Sequence, residues 1–175
     1  MFSIITACLN AEEKIYNTLL SVSSQNFNDY EHIVKDGVSK DQTYKIVEKL
    51  KNSNLKFYCS KDCGVYDAFN QAINYSSKQY INFLGAGDIF DNKKILSKVK
   101  KRINETDCDL IYGNLEIVKL INGSPKVIRK WKAGEFNKKK LFFGWMPPHP
   151  TVFIKKSLLE QVGCFNKNFY ISGDY

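Results

Sequence analysis

The stretch Tyr80-Ile-Asn-Phe-Leu-Gly-Ala-Gly-Asp-Ile-Phe90 decides how the chain folds. Tyr80 to Leu84 is a short, mostly apolar run, the pattern of a strand buried on both faces of a parallel sheet. The run breaks at Gly85-Ala-Gly87 and presents one carboxylate, Asp88. From Asp91 a helical pattern follows, with apolar residues at Ile95, Leu96, Val99 and Ile103. A strand that ends in small residues and an acid places that acid at the carboxyl edge of the sheet, where open α/β folds keep their ligands. The glycines leave room for a bulky anion or a metal complex to approach the backbone. The same residues also suit a plain strand-to-helix turn capped by Asp88 or Asp91, so the neighbouring segments must decide.

Upstream, the chain alternates. Phe2–Cys8 reads as the first strand, and Asn10 with Glu13 reads as a capping box opening a helix with Ile15, Leu19 and Val22 on one face. Glu31 to Lys35 is the second strand, ending in Asp36-Gly-Val-Ser-Lys-Asp41. Ser39 and Gln42 read as a second capping box, before a helix with Ile46, Val47 and Leu50 inward. Leu55–Cys59 is the third strand, followed by a helix whose apolar positions are Val65, Ala68, Phe69, Ala72 and Ile73. Strict βα alternation predicts a mostly parallel sheet with helices on both faces. Every strand-to-helix turn then falls on one edge, and those turns carry Asn10, Asp36, Asp41, Asp62, Asp67 and Asp88.

Downstream of Asp109 the pattern changes. Leu110 to Val118 and Lys126 to Trp131 read as strands joined around Asn122-Gly-Ser-Pro125, an antiparallel addition to the sheet. Phe136 to Phe143 suits a short helix. Gly144 to Pro150, with three prolines, suits a rigid loop holding Trp145 and His149. Thr151 to Ile154 reads as a strand, and Lys156 to Val162 as a short helix ended by Gly163.

At 175 residues, 43% hydrophobic and 25% charged, the chain has the size and composition of one globular domain. No apolar run reaches the ~20 residues that cross a bilayer, and the N-terminus carries no secretory signal pattern. Five cysteines without a CxxC pair, and two histidines, argue against a zinc site and suit buried thiols in a reducing cytoplasm. The net charge of +8 has no nucleic-acid-binding motif beside it; anionic substrates or an anionic membrane surface are its expected partners. A dinucleotide enzyme would need G-x-G-x-x-G after the first strand, where this chain has Ala7-Cys-Leu-Asn-Ala11.

Taken together, the motifs resemble the family 2 glycosyltransferases of the GT-A fold, especially the bacterial branch that builds lipopolysaccharide, O-antigen and capsular sugars. Ser3 to Asn10 looks like the first strand and nucleotide-binding turn. Asp36-Gly-Val-Ser-Lys-Asp41 is similar to the family's Asp-Gly-x-Ser-x-Asp element, and Ser60 to Asn70 to its Asp-x-Gly-x-Tyr-Asp-Ala-x-Asn segment. Phe83 to Asp88 sits where the metal-binding motif belongs, with Gly87 in place of a second Asp. Pro148 to Phe153 and Gly163-Cys-Phe165 resemble later elements, and Ser172-Gly-Asp174 the segment carrying the catalytic base. The chain stops there, whereas relatives usually continue; residues 1–175 are therefore expected to form one GT-A domain short of its C-terminal part.

The resemblance implies an inverting transfer from a nucleotide-diphosphate sugar, a UDP-sugar above all, to a glycan or lipid-linked acceptor. It implies donor contacts from Thr6, Ala7, Asn10, Asp36, Asp67, Asn70 and Gly87, with Asp36 accepting a hydrogen bond from the base. It implies a divalent cation, Mn2+ or Mg2+, at Asp88 and His149, and Asp174 as general base. The expected location is the cytoplasm and the inner face of the cell membrane, with peripheral membrane association and no nucleic-acid partner. The alternatives for single residues are a turn role for Asp36, a helix cap for Asn10, surface polarity for Asp67 and Asn70, and a structural His149. For the whole chain the alternative is a nucleotide-sugar-binding module without turnover.

Overall fold

The computed structural model describes residues 1–122 and 124–169. The chain runs β1 (Phe2–Cys8), α1 (Ile15–Ser23), β2 (Tyr30–Asp36), α2 (Thr43–Lys49), β3 (Leu55–Cys59), α3 (Val65–Tyr75), β4 (Tyr80–Phe83) and α4 (Ile95–Thr106). It continues with β5 (Leu110–Ile111), β6 (Leu115–Ile121), β7 (Ser124–Trp131), α5 (Lys138–Leu141), a 3-10 turn at His149–Thr151, β8 (Phe153–Lys155) and α6 (Lys156–Gln161). The main sheet has the order β3-β2-β1-β4-β8-β5. Its first four strands are parallel, and β8 joins antiparallel to β4.

Side-chain alternation along β1 builds the two layers of the core. Phe2 and Ile4 face one side of the sheet, packing among Val22, Leu96 and Ile103. Further along that face Ile15, Leu19 and Val47 close over Val34 and Leu55. Ile5, with Ile33, Ile81 and Phe83, faces the other side, beneath Phe69, Ala72 and Ile73 of α3 and Leu159 of α6. The fold is thus the expected GT-A arrangement, a mostly parallel sheet with helices on both faces and an antiparallel C-terminal addition.

Several boundaries differ from the sequence expectation. Neither capping box forms: α1 starts at Ile15 and α2 at Thr43, both without a side-chain cap from the expected residues. Asn10 takes a left-handed φ of 49° and bonds across to the next loop, while Ser39 bonds back to Asp36. The start of α4 is Ile95 rather than Asp91, because Asn92 holds the preceding turn by accepting from Lys94 N. Val65, on the first turn of α3, is 48% exposed rather than inward. The stretch read as one strand from Leu110 to Val118 is split at Gly113 and Asn114: β5 joins the main sheet, and β6 pairs with β7 as a separate hairpin.

The amino edge of the sheet is held by a buried carboxylate. Glu31 accepts from Ser3 Oγ at 2.7 Å, Lys56 Nζ at 2.7 Å and Ser77 N at 2.6 Å, so β1, β2, β3 and the turn before β4 meet at one side chain. Burial raises its pKa, and the hydrogen bonds from Lys56, Ser77 and Ser3 outweigh that, holding it at about 2.

Two stability measurements test this packing. Phe69→Ala is expected to cost about 3–5 kcal/mol in urea unfolding, and Val65→Ser within about 0.5 kcal/mol, although helical periodicity places both on one face. A depressed carboxyl pKa stabilises the fold above the unfolded value and loses that contribution as pH falls through the folded one. Between its ordinary 4.5 and about 2, Glu31 should therefore account for an acid-side loss of up to about 3 kcal/mol. Glu31→Gln should flatten that part of the stability–pH curve; an unchanged acid limb would contradict the assignment.

Candidate active site

At the carboxyl edge, the loops after β1 and β2 are stitched into one body. Gly37 N donates to Cys8 O at 2.9 Å, carrying the ladder one residue past the strands. Beyond it, five hydrogen bonds cross between the loops: Asn10 N to Ser39 Oγ, Lys40 N to Asn10 Oδ1, Ala11 N to Thr43 Oγ1, Glu12 N to Asp41 Oδ2 and Gln42 N to Glu12 Oε2. All lie between 2.7 and 3.0 Å. Asn10 and Ser39, which spacing assigned to helix caps, satisfy the backbone of the opposite loop instead. The result is one wall of a cleft of about 560 Å³, whose lining includes Ala7, Asn10, Glu12, Lys14, Asp41 and Ala86.

Asp36 sits beneath this wall, buried. Its carboxylate accepts from Ser39 N at 2.7 Å and from the Ser39 hydroxyl, and the thiols of Cys8 and Cys59 approach it at 3.6 and 3.5 Å. Burial and the adjacent carboxylate push both thiols up, so they stay protonated donors and neither is a poised nucleophile. Under Asp36 lies a residue that sequence reading passed over. Lys35 is 0% exposed, and its ammonium donates to Asp36 O at 3.1 Å, Ser60 O at 2.7 Å and Asp62 Oδ2 at 2.9 Å. The three acceptors match the three protons of an ammonium. Gly37 is required here, since a Cβ would stand 2.9 Å from Asp62 Oδ2. A lysine directly after the apolar Ile33-Val34 centre of β2 was the available signal.

Thr6 is fully buried below the cleft, donating to Leu84 O at 2.8 Å and lying 3.0 Å from His32 Nε2. Burial lowers the pKa of His32 to about 3, so the ring is neutral and belongs to the core.

Ala86 brings the turn after β4 to this cleft. Asp88 N donates to Gly85 O at 2.9 Å, and the Gly85 N–H donates to the Asp88 carboxylate. A Cβ at Gly85 would meet Asp88 Oδ2 at 3.0 Å, and Gly87 has φ 108°, which side-chain-bearing residues rarely adopt. Thr18 of α1 pins the turn twice, accepting from Gly87 N at 2.9 Å and donating to Asp88 O at 2.8 Å. Burial raises the Asp88 pKa, opposed by the Gly85 N–H and by the nearby charge of His149. The His149 ring stacks on Phe83 and Phe69 at centroid distances of 5.7 and 5.9 Å. Asn82, in the middle of β4, holds this loop by donating to Pro150 O and Val152 O at 3.0 and 2.8 Å. An asparagine inside an apolar strand marked it in the sequence.

Asp67 and Asn70 share a face of α3, and what they face is the segment beyond α6. Asn70 bonds Phe165 in both directions, Nδ2 to O at 2.8 Å and Oδ1 from N at 3.0 Å. Asp67 pairs with Lys167 at 3.3 Å and accepts from Cys63 N at 3.0 Å; that backbone donor is the main reason its pKa is lowered. Asp174, toward which this segment leads in sequence, lies outside the described residues. The structure thus gathers Ala7, Asn10, Gly87, Asp88 and His149 around the sheet edge, with Asp36 behind them. Thr6 stays in the core, and Asp67 and Asn70 hold the C-terminal segment.

Comparison with known proteins fits this geometry. The sequence profile described as Glycosyl transferase family 2 matches residues 3–163. A PGL/p-HBAD biosynthesis glycosyltransferase of Mycobacterium bovis is 29% identical, over 100% of this chain and 67% of its own length. A UDP-Glc:alpha-D-GlcNAc-diphosphoundecaprenol beta-1,3-glucosyltransferase of Escherichia coli is 33% identical over 57% of this chain and 40% of that protein. Among solved structures, S. aureus TarS 1-349 in complex with UDP matches with a TM-score of 0.80 and 25% identity, over 99% of this chain and 52% of the other. The chain therefore spans about two thirds of the mycobacterial protein and about half of the staphylococcal one. With the profile running from the first strand past α6, the chain belongs to glycosyl transferase family 2.

Proposed function

We propose that the chain carries the donor half of a glycosyl transfer, binding a nucleotide-diphosphate sugar, UDP-linked, at the cleft between the braced loops and the Gly85–Asp88 turn. The observation that carries this reading is that turn: a glycine-lined, half-buried carboxylate set beside a rigid polar wall on the ligand-binding edge of the sheet. The likeness to a structure solved with UDP supports uracil as the base. Ala7 and Asn10 would flank the nucleoside, with Asp36 behind the cleft as reader of the base or as the residue that shapes the wall around it.

Among the described residues, no three His, Cys, Asp or Glu side chains converge into a metal cluster. A Mg2+ or Mn2+ ion accompanying a nucleotide is commonly held by one or two carboxylates together with the substrate phosphates. Asp88, with His149 beside it, fits that smaller donor set. Such an ion supplies Lewis-acid charge against the departing diphosphate. In the transfer, an acceptor hydroxyl oxygen bonds to the anomeric carbon while its proton passes to the Asp174 carboxylate. The bond from that carbon to the diphosphate oxygen breaks, its electron pair leaves with UDP, and the configuration inverts. The acceptor is a glycan or lipid-linked sugar. No helix among the described residues is long and apolar enough to cross a membrane.

Calorimetry with UDP is the first test. UDP should bind more tightly with Mn2+ or Mg2+ than with a chelator, and Asp88→Ala should abolish the difference. Because burial raises the Asp88 pKa, acidification should erode the metal-dependent part at a higher pH than an ordinary carboxylate near 4 would. Absence of UDP binding under every metal condition would sink the reading.

The base is tested separately. Asp174→Asn should reduce sugar transfer by about a hundredfold or more while leaving UDP affinity intact. Transfer that survives the substitution removes Asp174 from the mechanism.

A further inference from the structure

The hairpin β6–β7 departs from the rest of the fold. Among the described residues its strands pair only with each other, and every described side chain in them is exposed except Leu115 and Trp131 at the root. A lone two-stranded ribbon is marginal in water. The pairing sets Val118 opposite Val127 and Leu120 opposite Pro125 on one face of the tip, and Lys119 opposite Lys126 on the other. Leu120 is 71% exposed.

The root of the hairpin leads into a second exposed apolar group. Trp145 Nε1 donates to Ala133 O at 3.1 Å, joining the end of the hairpin to the loop that carries α5. On that loop Phe142 and Phe143 are 83% and 89% exposed, one residue beyond the run Lys138, Lys139 and Lys140. Residues 115–143 hold eight Lys and Arg against two Glu, a net +6 of the chain's +8.

We propose that this hairpin and the Lys138–Phe143 loop form a docking surface for an anionic lipid bilayer. Exposed aromatic and aliphatic side chains beside lysines are the composition of interfacial membrane segments, with apolar groups entering the headgroup boundary and the ammoniums meeting lipid phosphates. A second copy seated on the same surface would bring +6 against +6, which charge repulsion opposes. Nucleic acid would use the lysines and leave Val118, Leu120 and Phe143 without a role. The surface extends the reading of a lipid-linked acceptor, on which it rests for its purpose though not for its geometry. It would carry the transferase to the membrane where such an acceptor lies.

The test is sedimentation of the 175-residue chain with vesicles of phosphatidylcholine alone, or of phosphatidylcholine and phosphatidylglycerol in equal parts. The chain should partition onto the anionic vesicles, leave them at high salt, and bind the neutral ones weakly. Replacing Lys138, Lys139 and Lys140 by Gln should lower partitioning on the order of a hundredfold, about fivefold per lysine. Phe142→Ser with Phe143→Ser should lower it about tenfold. Both variants should retain the parent's thermal unfolding and UDP affinity. Failure of the parent to bind anionic vesicles, or equal binding by both variants, overturns the proposal. So does a dimer in sedimentation equilibrium that the Phe variant disperses, or tighter binding of single-stranded RNA that only the Lys variant loses. Vesicle binding without UDP binding would leave this surface standing and remove the donor site instead.

Discussion

The buried ammonium of Lys35 holds the functional edge together. An ammonium removed from water is tolerated only when its protons are matched and its charge is paired. Here the end of β2, the Ser60 carbonyl and the Asp62 carboxylate supply that match from separate segments. Removing one partner of such a pair commonly costs about 3–5 kcal/mol, because the other charge stays buried without compensation. The close approach of Gly37 to Asp62 belongs to the same contact, while Ser39 orients the Asp36 carboxylate above it. The edge is therefore a shape fixed from below by electrostatics and closed from above by the brace between the loops.

That brace explains which parts of the molecule could be read from the chain. Strands β1, β2 and β4 were legible from the apolar residues that burial on both faces requires at their centres, Ile4-Ile5, Ile33-Val34 and Ile81 with Phe83, and α3 because its inward face repeats at 3.6 residues. Asn10 and Ser39 misled because a polar residue ahead of an apolar pattern looks the same whether it caps its own helix or satisfies a neighbouring loop. Spacing reports local partners only, and these partners are about 30 residues away. Val65 fails for a related reason: periodicity assigns a face but cannot say where the covering layer stops.

Among the candidate site residues, motif resemblance named loops that the fold places at one sheet edge but did not distinguish a side chain facing the cleft from one building it. Ala7 and Asn10 line the cleft, Thr6 supports β4 from the core, and Asn70 is bonded to the backbone of Phe165. Lys35 and Asn82 escaped notice because a polar side chain within a strand gives no local sign of its partner. Their meaning lies in carbonyls contributed by distant segments.

The crossed hydrogen bonds also determine how this edge can change. Each loop supplies the acceptors or donors that the other lacks, so residues 10–12 and 39–43 constitute a single heritable module. Inserting one residue in either loop would shift its partners out of register and strand several backbone groups at once. This edge is therefore easier to alter by exchanging both loops together than by varying either alone, and chimaeras with related proteins should place their junctions outside the pair.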